Sequence, residues 1–497
     1  MKKALTFLLL AAVALLSARE MKKDNYAKRK FCGWQAPNYW AGKLSIVDDN
    51  GKKCLQLDSG VRAKTEFFGR ALATNVRGIE YYPGLKIRIK IKAKGIGKLT
   101  SGVLVYQFGS GAPAYNTGGS FQLTDDFKDY EFVSTLTNRH RMVLPYFEVT
   151  PKDSKVIVQS FYMENIENAN TITAITPIQI IESGKKAAPI TFTSNLKDKE
   201  IFITKQCGNK VELQKVKSDK NGKIVFEPGV LPEGLWQIAA SADCAAAKTF
   251  VDVQKKEAMA DADKLAKKVK LAKKTHVLFL GDSLTDFYRG ENYVDRLSFW
   301  MNKYNPGKFT FRNAGIGGDF LERMETRMQG ELRNKAWAWR QKDYKGIFKE
   351  KYDLIFLFLG HNDTRCWRKD NYSTQQTPPA LQQKYLKSIL TILQKNCPGA
   401  KLILIAPSPS DEALFLARDK KLAKGANMPM YGKKEFVDLY DAENKKFCKE
   451  NGLEYIDVLS AMRKAPVLKD LYVSDGVHLS SLGNRLIAET ILKHLAK

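Results

Sequence analysis

The sequence predicts a multi-domain protein in which two β-rich domains precede a larger α/β domain. Its 497 residues are more than one hydrophobic core normally holds, so two or three domains are expected. Residues 25–183 and 186–254 show the two-residue apolar alternation and closely spaced turn signals of β-strands. From residue 275 onward, apolar strands alternate with helical stretches, which is the pattern of a parallel sheet covered by helices on both faces.

Composition is typical of a folded protein with a strong positive charge. Hydrophobic residues make up 44% and charged residues 27%, which argues against a disordered or low-complexity chain. Subtracting 53 acidic residues from 81 lysines and arginines gives a net charge of +28. By itself, this charge favours a polyanionic partner, such as a nucleic acid, an anionic membrane surface or an acidic polysaccharide.

Residues 1–18 have the pattern of a secretory signal peptide. Two lysines precede an apolar run that ends in small residues, and cleavage after Ala14 or Ala18 fits equally well. An uncleaved anchor is the alternative, but the apolar run is short for a membrane span. We therefore expect a secreted or periplasmic protein that has no nucleic-acid partner and no stable membrane insertion.

The seven cysteines show no CxxC spacing, so zinc-ribbon and thioredoxin-like sites are not expected. In an oxidising compartment, Cys32 with Cys54 and Cys207 with Cys244 are candidate disulfides within separate domains. Buried free thiols are an equal alternative in so long a chain.

Residues 25–183 predict a β-sandwich. The segment Leu85–Lys94 alternates apolar and cationic residues strictly, as a half-buried strand does. The layout resembles the jelly-roll modules of secreted carbohydrate-binding proteins. Its cationic face is a candidate contact for anionic glycans, although a solvated outer face is the stronger interpretation. Aromatic residues that could stack on sugar rings, but that fit a core better, are Trp34, Tyr39, Trp40, Tyr81, Tyr82, Tyr106 and Tyr115.

Residues 186–254 predict a second, smaller β domain. Asn221-Gly222 is a strong hairpin signal, and Pro232–Trp236 looks like the strand entry of an Ig-like module. The next segment, residues 255–274, is lysine-rich and lacks Gly and Pro. It predicts a basic helical linker, or the first helix of the domain that follows.

Residues 275–497 predict the α/β domain. The expected strands are His276–Gly281, Lys308–Asn313, Asp353–Gly360, Lys401–Ala406 and Leu453–Val458. The expected helices are Asn292–Tyr304, Pro379–Asn396, Lys433–Asn451 and Leu482–Leu495. Functional sites of such folds lie at the carboxyl ends of the strands, where this sequence places its notable polar residues.

The first strand end carries Ser283, in the segment Gly281–Thr285. A serine between a strand and a helix exposes its hydroxyl, and the helix N-terminus stabilises negative charge, although a plain N-cap fits as well. The second strand end carries glycines, among them Gly318, whose N–H groups could bind an oxyanion. Their spacing is not that of a dinucleotide-binding loop.

Two further segments carry polar residues that could take part in the same site. Asn362 follows the third strand and can donate a side-chain N–H. Near the C-terminus, Asp475 and His478 are three residues apart, so the carboxylate could orient the imidazole while its other nitrogen faces a serine. Among the five histidines, His478 is the best candidate base and His361 a distant second.

Together these four blocks resemble the SGNH (GDSL) hydrolase family over residues 275–497. The resemblance implies a flavodoxin-like three-layer sandwich and serine esterase chemistry, with Ser283 as nucleophile, His478 as general base and Asp475 as orienting acid. It also implies an oxyanion hole made of the backbone N–H groups of Ser283 and Gly318 and the side chain of Asn362. The GHND form of the third block is also found in acetylesterases that act on plant polysaccharides.

One departure from the family is the long connection over residues 319–352. Its Arg333, Trp337, Trp339 and Arg340 fit a cleft wall and plain packing equally well.

We therefore expect a secreted esterase that removes O-acetyl groups from polysaccharides or oligosaccharides, including anionic ones, without a metal or cofactor. A lipase, lysophospholipase or small-ester esterase of the same family is one alternative. A glycan-binding protein with an inactive hydrolase domain is another.

Overall fold

The computed structural model describes residues 19–24, 34–35, 43–58, 63–67, 80–109, 113–286, 292–330, 344–421 and 427–497. The predicted signal peptide, Cys32, Tyr39, Trp40 and the segment carrying Trp337 and Trp339 lie outside these residues. The described chain divides into two compact units. One contains residues up to Thr176 with Lys186–Val230 and Trp236–Val251, and the other contains Pro177–Lys185, Leu231–Leu235 and Asp252–Lys497.

The secondary structure is β-rich in the first unit and α/β in the second. The strands are β1 (Arg19–Lys23), β2 (Trp34–Gln35), β3 (Lys43–Asp49), β4 (Lys52–Asp58), β5 (Ala63–Phe67), β6 (Lys86–Gln107), β7 (Ala114–Gln122), β8 (Lys128–Thr135), β9 (His140–Ile166), β10 (Ile172–Ala174), β11 (Gln179–Glu182), β12 (Ile190–Ser194), β13 (Glu200–Cys207), β14 (Lys210–Lys217), β15 (Lys223–Phe226), β16 (Gly234–Ala242), β17 (Ala245–Gln254), β18 (Thr275–Gly281), β19 (Phe309–Asn313), β20 (Leu354–Phe358), β21 (Cys366–Trp367), β22 (Lys401–Ile405), β23 (Pro429–Met430) and β24 (Glu454–Ile456). The α-helices are α1 (Lys256–Lys268), α2 (Tyr293–Tyr304), α3 (Leu321–Met328), α4 (Pro379–Asn396), α5 (Glu412–Asp419), α6 (Lys434–Asn451), α7 (Val458–Arg463) and α8 (Ser481–Leu495).

In the first unit, β1–β9 form one antiparallel sheet organised around two long strands, β6 and β9. The predicted strand Leu85–Lys94 is the first part of β6. The register shifts between Ile96 and Lys98 on β6, where Gly97 has a φ of 105°. A Cβ at Gly97 would lie 2.2 Å from Ser154 Oγ, so only glycine fits this bend.

The alternating segment of β6 buries its apolar side as predicted. Ile87, Ile89 and Ile91 are almost fully buried in the core of the first unit. Trp34 lies in the same core, edge-on to Phe147 and Phe161. Tyr81 and Tyr82 are buried there as well, so most of the described aromatic candidates pack in the core rather than face solvent.

Residues from both predicted β domains lie in this first unit. Lys248 forms an ion pair with Glu80 at 2.8 Å, and Gln237 donates to the hydroxyl of Tyr82. Whether residues 25–183 and 186–254 are separate domains stays a prediction.

The described cysteines do not form the two disulfides that the sequence suggested. Cys54 and Cys244 are free thiols, so the Cys207–Cys244 and Cys32–Cys54 pairings are wrong. Free thiols, the alternative that fitted the sequence equally well, are observed for these two cysteines.

The second unit is built on a parallel sheet with strand order β19-β18-β20-β22-β24. Alternate residues of these strands enter two separate cores. Phe279, Phe356 and Ile403 pack with α1, α2, α7 and α8 on one face. Leu280 and Leu357 pack with α3, α4 and α6 on the other. The predicted α/β layering and its strands and helices are confirmed to within two residues at nearly every boundary.

Helix α1 belongs to this packing. Its Ala262 and Ala266 are buried in the core shared with α2 and α8. The segment predicted as a basic linker is therefore the first helix of the α/β unit, which was the alternative interpretation. No helix in the described part of the chain has the length and apolarity needed to cross a membrane.

A buried ion pair links α2 to the end of β17 within the second unit. The guanidinium of Arg296 lies 2.5 Å from a carboxylate oxygen of Asp252, and both side chains are less than 5% exposed. Arg296 also donates to the hydroxyl of Ser481. The cost of burying each charge is offset only while its partner is present.

Arg296→Met should therefore destabilise the second unit strongly, because it leaves the Asp252 carboxylate buried without its cation. The expected loss is about 3–5 kcal/mol of unfolding free energy, measured by urea denaturation. Replacing both residues, in Arg296→Met with Asp252→Leu, should recover most of this loss. A single variant within 1 kcal/mol of the wild type would contradict this account.

Candidate active site

Ser283 lies in a tight turn directly after β18. The carboxylate of Asp282 accepts the N–H of Leu284 at 2.9 Å, and the carbonyl of Asp282 accepts the N–H of Thr285 at 3.1 Å. These bonds close the turn and leave the Ser283 hydroxyl at the carboxyl edge of the sheet. Asp282 is itself buried, so the turn is anchored in the protein interior.

Gly281, the last residue of β18, permits this turn. A Cβ there would lie 2.2 Å from Thr285 Oγ1 and 2.8 Å from the carbonyl oxygen of Phe358. The neighbouring strand and the returning turn therefore occupy the space that any other side chain would need.

The prediction that Ser283 begins a helix is wrong for the described residues. Residues 282–285 form a bend and a turn, and the described helix that follows, α2, begins at Tyr293 with Asn292 as its N-cap. The expected helix N-terminus at Ser283 is thus not observed, and support for negative charge there must come from individual N–H groups.

Asp475 and His478 meet Ser283 in a continuous chain of hydrogen bonds. The Nε2 atom of His478 lies 2.9 Å from Ser283 Oγ, and its Nδ1 atom lies 2.5 Å from Asp475 Oδ2. The other carboxylate oxygen of Asp475 accepts the backbone N–H groups of Val477 and His478, both at 2.9 Å. The sequence separation between serine and histidine is 195 residues, so only the fold brings them together.

The environment of Asp475 keeps its carboxylate ionised. Burial alone would raise its pKa, but the hydrogen bonds and charge of His478 and the two backbone N–H groups outweigh that effect. The pKa of Asp475 is therefore held well below its ordinary value. An ionised acceptor at Nδ1 keeps a proton on that nitrogen and leaves Nε2 able to accept one from serine.

Three N–H donors lie at the ends of neighbouring strands. Among the described residues, the backbone N–H groups of Ser283 and Gly318 have no hydrogen-bond acceptor. The side-chain amide of Asn362 donates to the carbonyl of Asp319 at 3.0 Å and to Asp282 at 3.3 Å. The longer of these two bonds is the one that an oxyanion could replace.

Ion pairs and hydrogen bonds hold the glycine loop that carries Gly318. The N–H of Gly317 donates to Asp286 at 2.6 Å, and the buried carboxylate of Asp319 receives Arg327 in a forked ion pair whose shortest distance is 2.9 Å. Gly318 has a φ of 85°, in the region that favours glycine. Asp286 and Arg327 were not identified from sequence, because the partner of Asp286 is 31 residues away and the partner of Arg327 precedes the helix on which Arg327 lies.

Comparison with known proteins agrees with this geometry. The model of the GDSL-like Lipase/Acylhydrolase family matches residues 279–486. The second unit contains a GDSL/SGNH hydrolase domain. Within the described residues no group of three His, Cys, Asp or Glu side chains is placed to hold a metal ion, and a metal-free site stays a prediction.

Individual relatives of this hydrolase domain are distant. A GDSL esterase/lipase of Arabidopsis thaliana is 28% identical over 196 residues, which cover 37% of this chain and 80% of the plant protein. The mouse isoamyl acetate-hydrolyzing esterase 1 homolog is 25% identical over 189 residues, covering 36% of this chain and 74% of the mouse protein. A lipase/acylhydrolase structure from Enterococcus faecalis aligns with 45% of this chain and 95% of its own, at 20% identity and a TM-score of 0.33.

His361, the second candidate base, serves a different purpose in the hydrolase domain. It is buried, and burial, the largest influence, lowers its pKa from 6.5 to about 4. Its Nε2 lies 3.2 Å from the carbonyl oxygen of Val477, and its Nδ1 lies 3.2 Å from the hydroxyl of Ser408. A neutral ring that donates from Nε2 and accepts at Nδ1 satisfies both contacts. His361 thus supports the loop that carries His478.

The stability of the hydrolase domain should depend on pH because of His361. Between pH 6.5 and pH 4 the unfolded chain binds a proton at this residue and the folded chain does not. The free energy of unfolding therefore falls as the pH falls through this window, by at most about 3 kcal/mol. His361→Gln keeps a donor for Val477 but cannot titrate, so this part of the acid destabilisation should disappear.

The measurement is the urea midpoint of wild type and His361→Gln between pH 4 and pH 7. The variant should show a shallower fall in stability with decreasing pH. Identical slopes for the two proteins would contradict a neutral, buried His361.

Proposed function

We propose that the protein is an exported serine esterase that removes O-acetyl groups from polysaccharide through an acyl-enzyme intermediate. The observation that carries the proposal is the hydrogen-bonded series Ser283–His478–Asp475, with distances of 2.9 and 2.5 Å. Membership of a GDSL esterase/lipase family implies hydrolysis of carboxylic esters. Export is the expectation from residues 1–18 and is part of the proposal.

The proposed reaction begins when His478 takes the proton of Ser283 as Oγ attacks the ester carbonyl carbon. The oxygen of the tetrahedral intermediate then carries a negative charge. It is bound by the N–H groups of Ser283 and Gly318 and by the side chain of Asn362. Asp475 stays ionised and stabilises the imidazolium of His478.

Collapse of this intermediate releases the sugar. His478 returns its proton to the leaving sugar oxygen, and the acetyl group remains on Ser283. A water molecule then attacks the acyl-enzyme while His478 again accepts a proton. Acetate leaves, and the serine regains its hydrogen.

Carbohydrate as the substrate is supported by sequence features. The third block reads GHND at Gly360–Asp363, a form also found in acetylesterases of plant polysaccharides, and a β-rich region precedes the hydrolase domain. The cationic face of β6 does not add support for a carbohydrate substrate, because most of its cations form ion pairs with acidic residues of the protein.

Ion pairs neutralise most of that cationic face. Arg88 and Lys90 lie 3.0 and 3.8 Å from the carboxylate of Glu164, and Lys94 lies 2.5 Å from Asp49. Lys86 lies 3.2 Å from Asp243. A face whose charges are already paired attracts a polyanion weakly, so binding of anionic glycans by this face is not favoured.

A small-ester esterase is the second candidate function. The mouse relative is named as a homolog of isoamyl acetate-hydrolyzing esterase 1, isoamyl acetate is a small acetyl ester, and the same site geometry would serve its hydrolysis. The inactive-domain alternative is less favoured, because the serine, histidine and aspartate are all present and in contact.

Release of acetate from a panel of acetylated polysaccharides should be abolished in Ser283→Ala, because the variant lacks the nucleophile. The assay compares wild type and variant on each polymer and on 4-nitrophenyl acetate. Acetate from at least one polymer, with wild type only, supports the proposal. Cleavage of the small ester without acetate from any polymer would favour the second candidate, and inactivity on both would favour the inactive domain.

Asn362→Ala should slow ester hydrolysis about a hundredfold, because one oxyanion donor is lost, equivalent to roughly 3 kcal/mol of transition-state stabilisation. The loss should appear in kcat, with KM little changed. A thermal melt of each protein serves as the control for folding, since Asn362 also donates to Asp319. A kcat within threefold of the wild type would remove Asn362 from the oxyanion hole.

A further inference from the structure

The loop that carries the acid and the histidine is held by its backbone. Every carbonyl from residue 474 to residue 478 accepts a hydrogen bond. The donors are Arg418 Nη2 to Ser474 at 2.6 Å, Arg418 Nη1 to Asp475 at 2.9 Å, Asp411 N to Gly476 at 2.9 Å, His361 Nε2 to Val477 at 3.2 Å and Val473 N to His478 at 2.8 Å. Five consecutive bonded carbonyls leave this loop little freedom to rotate its peptide planes.

Helix α5 supplies most of these contacts. Arg418 lies near the end of this helix, and Asp411 is its N-cap. Phe415, on the same helix, packs in a small buried cluster that also contains Val477. One helix therefore reaches the loop through two guanidinium bonds, one backbone N–H and one apolar contact cluster.

Arg418 donates to backbone carbonyls of the loop rather than to the carboxylate of Asp475. Its guanidinium bonds the backbone carbonyls of Ser474 and Asp475, whereas the carboxylate of Asp475 receives His478 and two backbone N–H groups. A guanidinium on the carboxylate itself would compete with His478 for the same oxygens. Bonded to the main chain, Arg418 fixes where the carboxylate points and leaves its oxygens available.

We propose that Arg418 is a positioning residue that holds Asp475 against His478, and so keeps His478 aligned with Ser283. The planar fork of arginine suits two successive carbonyls, and lysine could satisfy only one of them at this geometry. This inference rests on the proposed esterase function, but its central claim concerns the Asp475–His478 hydrogen bond and can be tested without a substrate.

The first test is the kinetics of Arg418→Met and Arg418→Lys on 4-nitrophenyl acetate. Small displacements of a catalytic group cost rate rather than binding, so Arg418→Met should lose roughly tenfold in kcat with KM nearly unchanged. Arg418→Lys should retain an intermediate kcat, because it keeps one donor and the charge. Arg368→Met is the matched control, since Arg368 anchors the same helix through Asp419 at 2.8 Å.

The second test observes the proton on His478 Nδ1 by NMR. A proton in a short bond to an ionised carboxylate resonates far downfield of the backbone amides. We expect this signal in wild type and in Arg368→Met, and expect it broadened or lost in Arg418→Met. Its assignment is made with Asp475→Asn, which should lack it.

The outcomes separate the two proposals. If the wild type shows the downfield proton but hydrolyses no ester, the proposed esterase function is contradicted. The positioning role of Arg418 is then decided by the NMR comparison alone. Arg418→Met with an unchanged proton signal, or with unchanged kcat, would overturn the inference. If Arg418→Met does not fold, Arg418→Lys carries both measurements, and wild-type behaviour in that variant would overturn the inference as well.

Discussion

The imidazole of His478 constrains the rest of the site, because its two nitrogens need different partners at the same time. One nitrogen faces Ser283 at 2.9 Å and the other faces Asp475 at 2.5 Å. Asp475 is only three residues away, whereas Ser283 is nearly 200 residues away along the chain. The parallel sheet brings Ser283 next to His478 despite their long separation in sequence. The hydrogen-bonded loop of residues 474–478 holds Asp475 against the other nitrogen. Movement of either would break the line of hydrogen bonds.

Much of the hydrolase domain could be predicted from sequence because its signals are local. The strands of the parallel sheet are apolar runs, and the segments after them carry the motifs of Ser283, Gly318 and Asn362, while the Asp475–His478 pair lies in the loop before α8. The structure places these residues together, and their catalytic roles remain the proposal made above. A strand buried on both faces shows itself in any short window of sequence.

The features that sequence reasoning missed depend on distant partners. Arg418 lies 57 residues from the carbonyl of Asp475, and nothing near it in sequence indicates which carbonyls it will bond. His361 looked like a spare base, and only its burial and its bond to Val477 show otherwise. The sequence predicted a strand that ends at Lys94, whereas β6 continues through Gly95 and Gly97 to Gln107. The positive φ values of these glycines bend one continuous strand.

The contacts of individual cations change the interpretation of the large positive net charge. Net charge suggests a basic surface, but several arginines and lysines are buried in the protein or form ion pairs with acidic neighbours. Arg296 and Arg327 are buried against carboxylates, and Arg88 and Lys94 are paired on the sheet of the first unit. Composition counts charges without regard to their partners, so the net charge alone does not indicate which surface would bind a polyanion.

The strand order of the parallel sheet has a consequence for how such a site can change during evolution. Because β18 lies between β19 and β20, the nucleophile stands between the two segments that carry its proposed oxyanion donors. Their separation follows from the spacing of hydrogen-bonded strands, about 4.8 Å, which every sheet shares. Strand order thus fixes which segments flank the nucleophile, while the hydrogen bonds of the glycine loop and of Asn362 hold the donors themselves. Selection can therefore alter the loops that meet the alcohol or acyl part of an ester while the groups that bind its carbonyl oxygen stay in place.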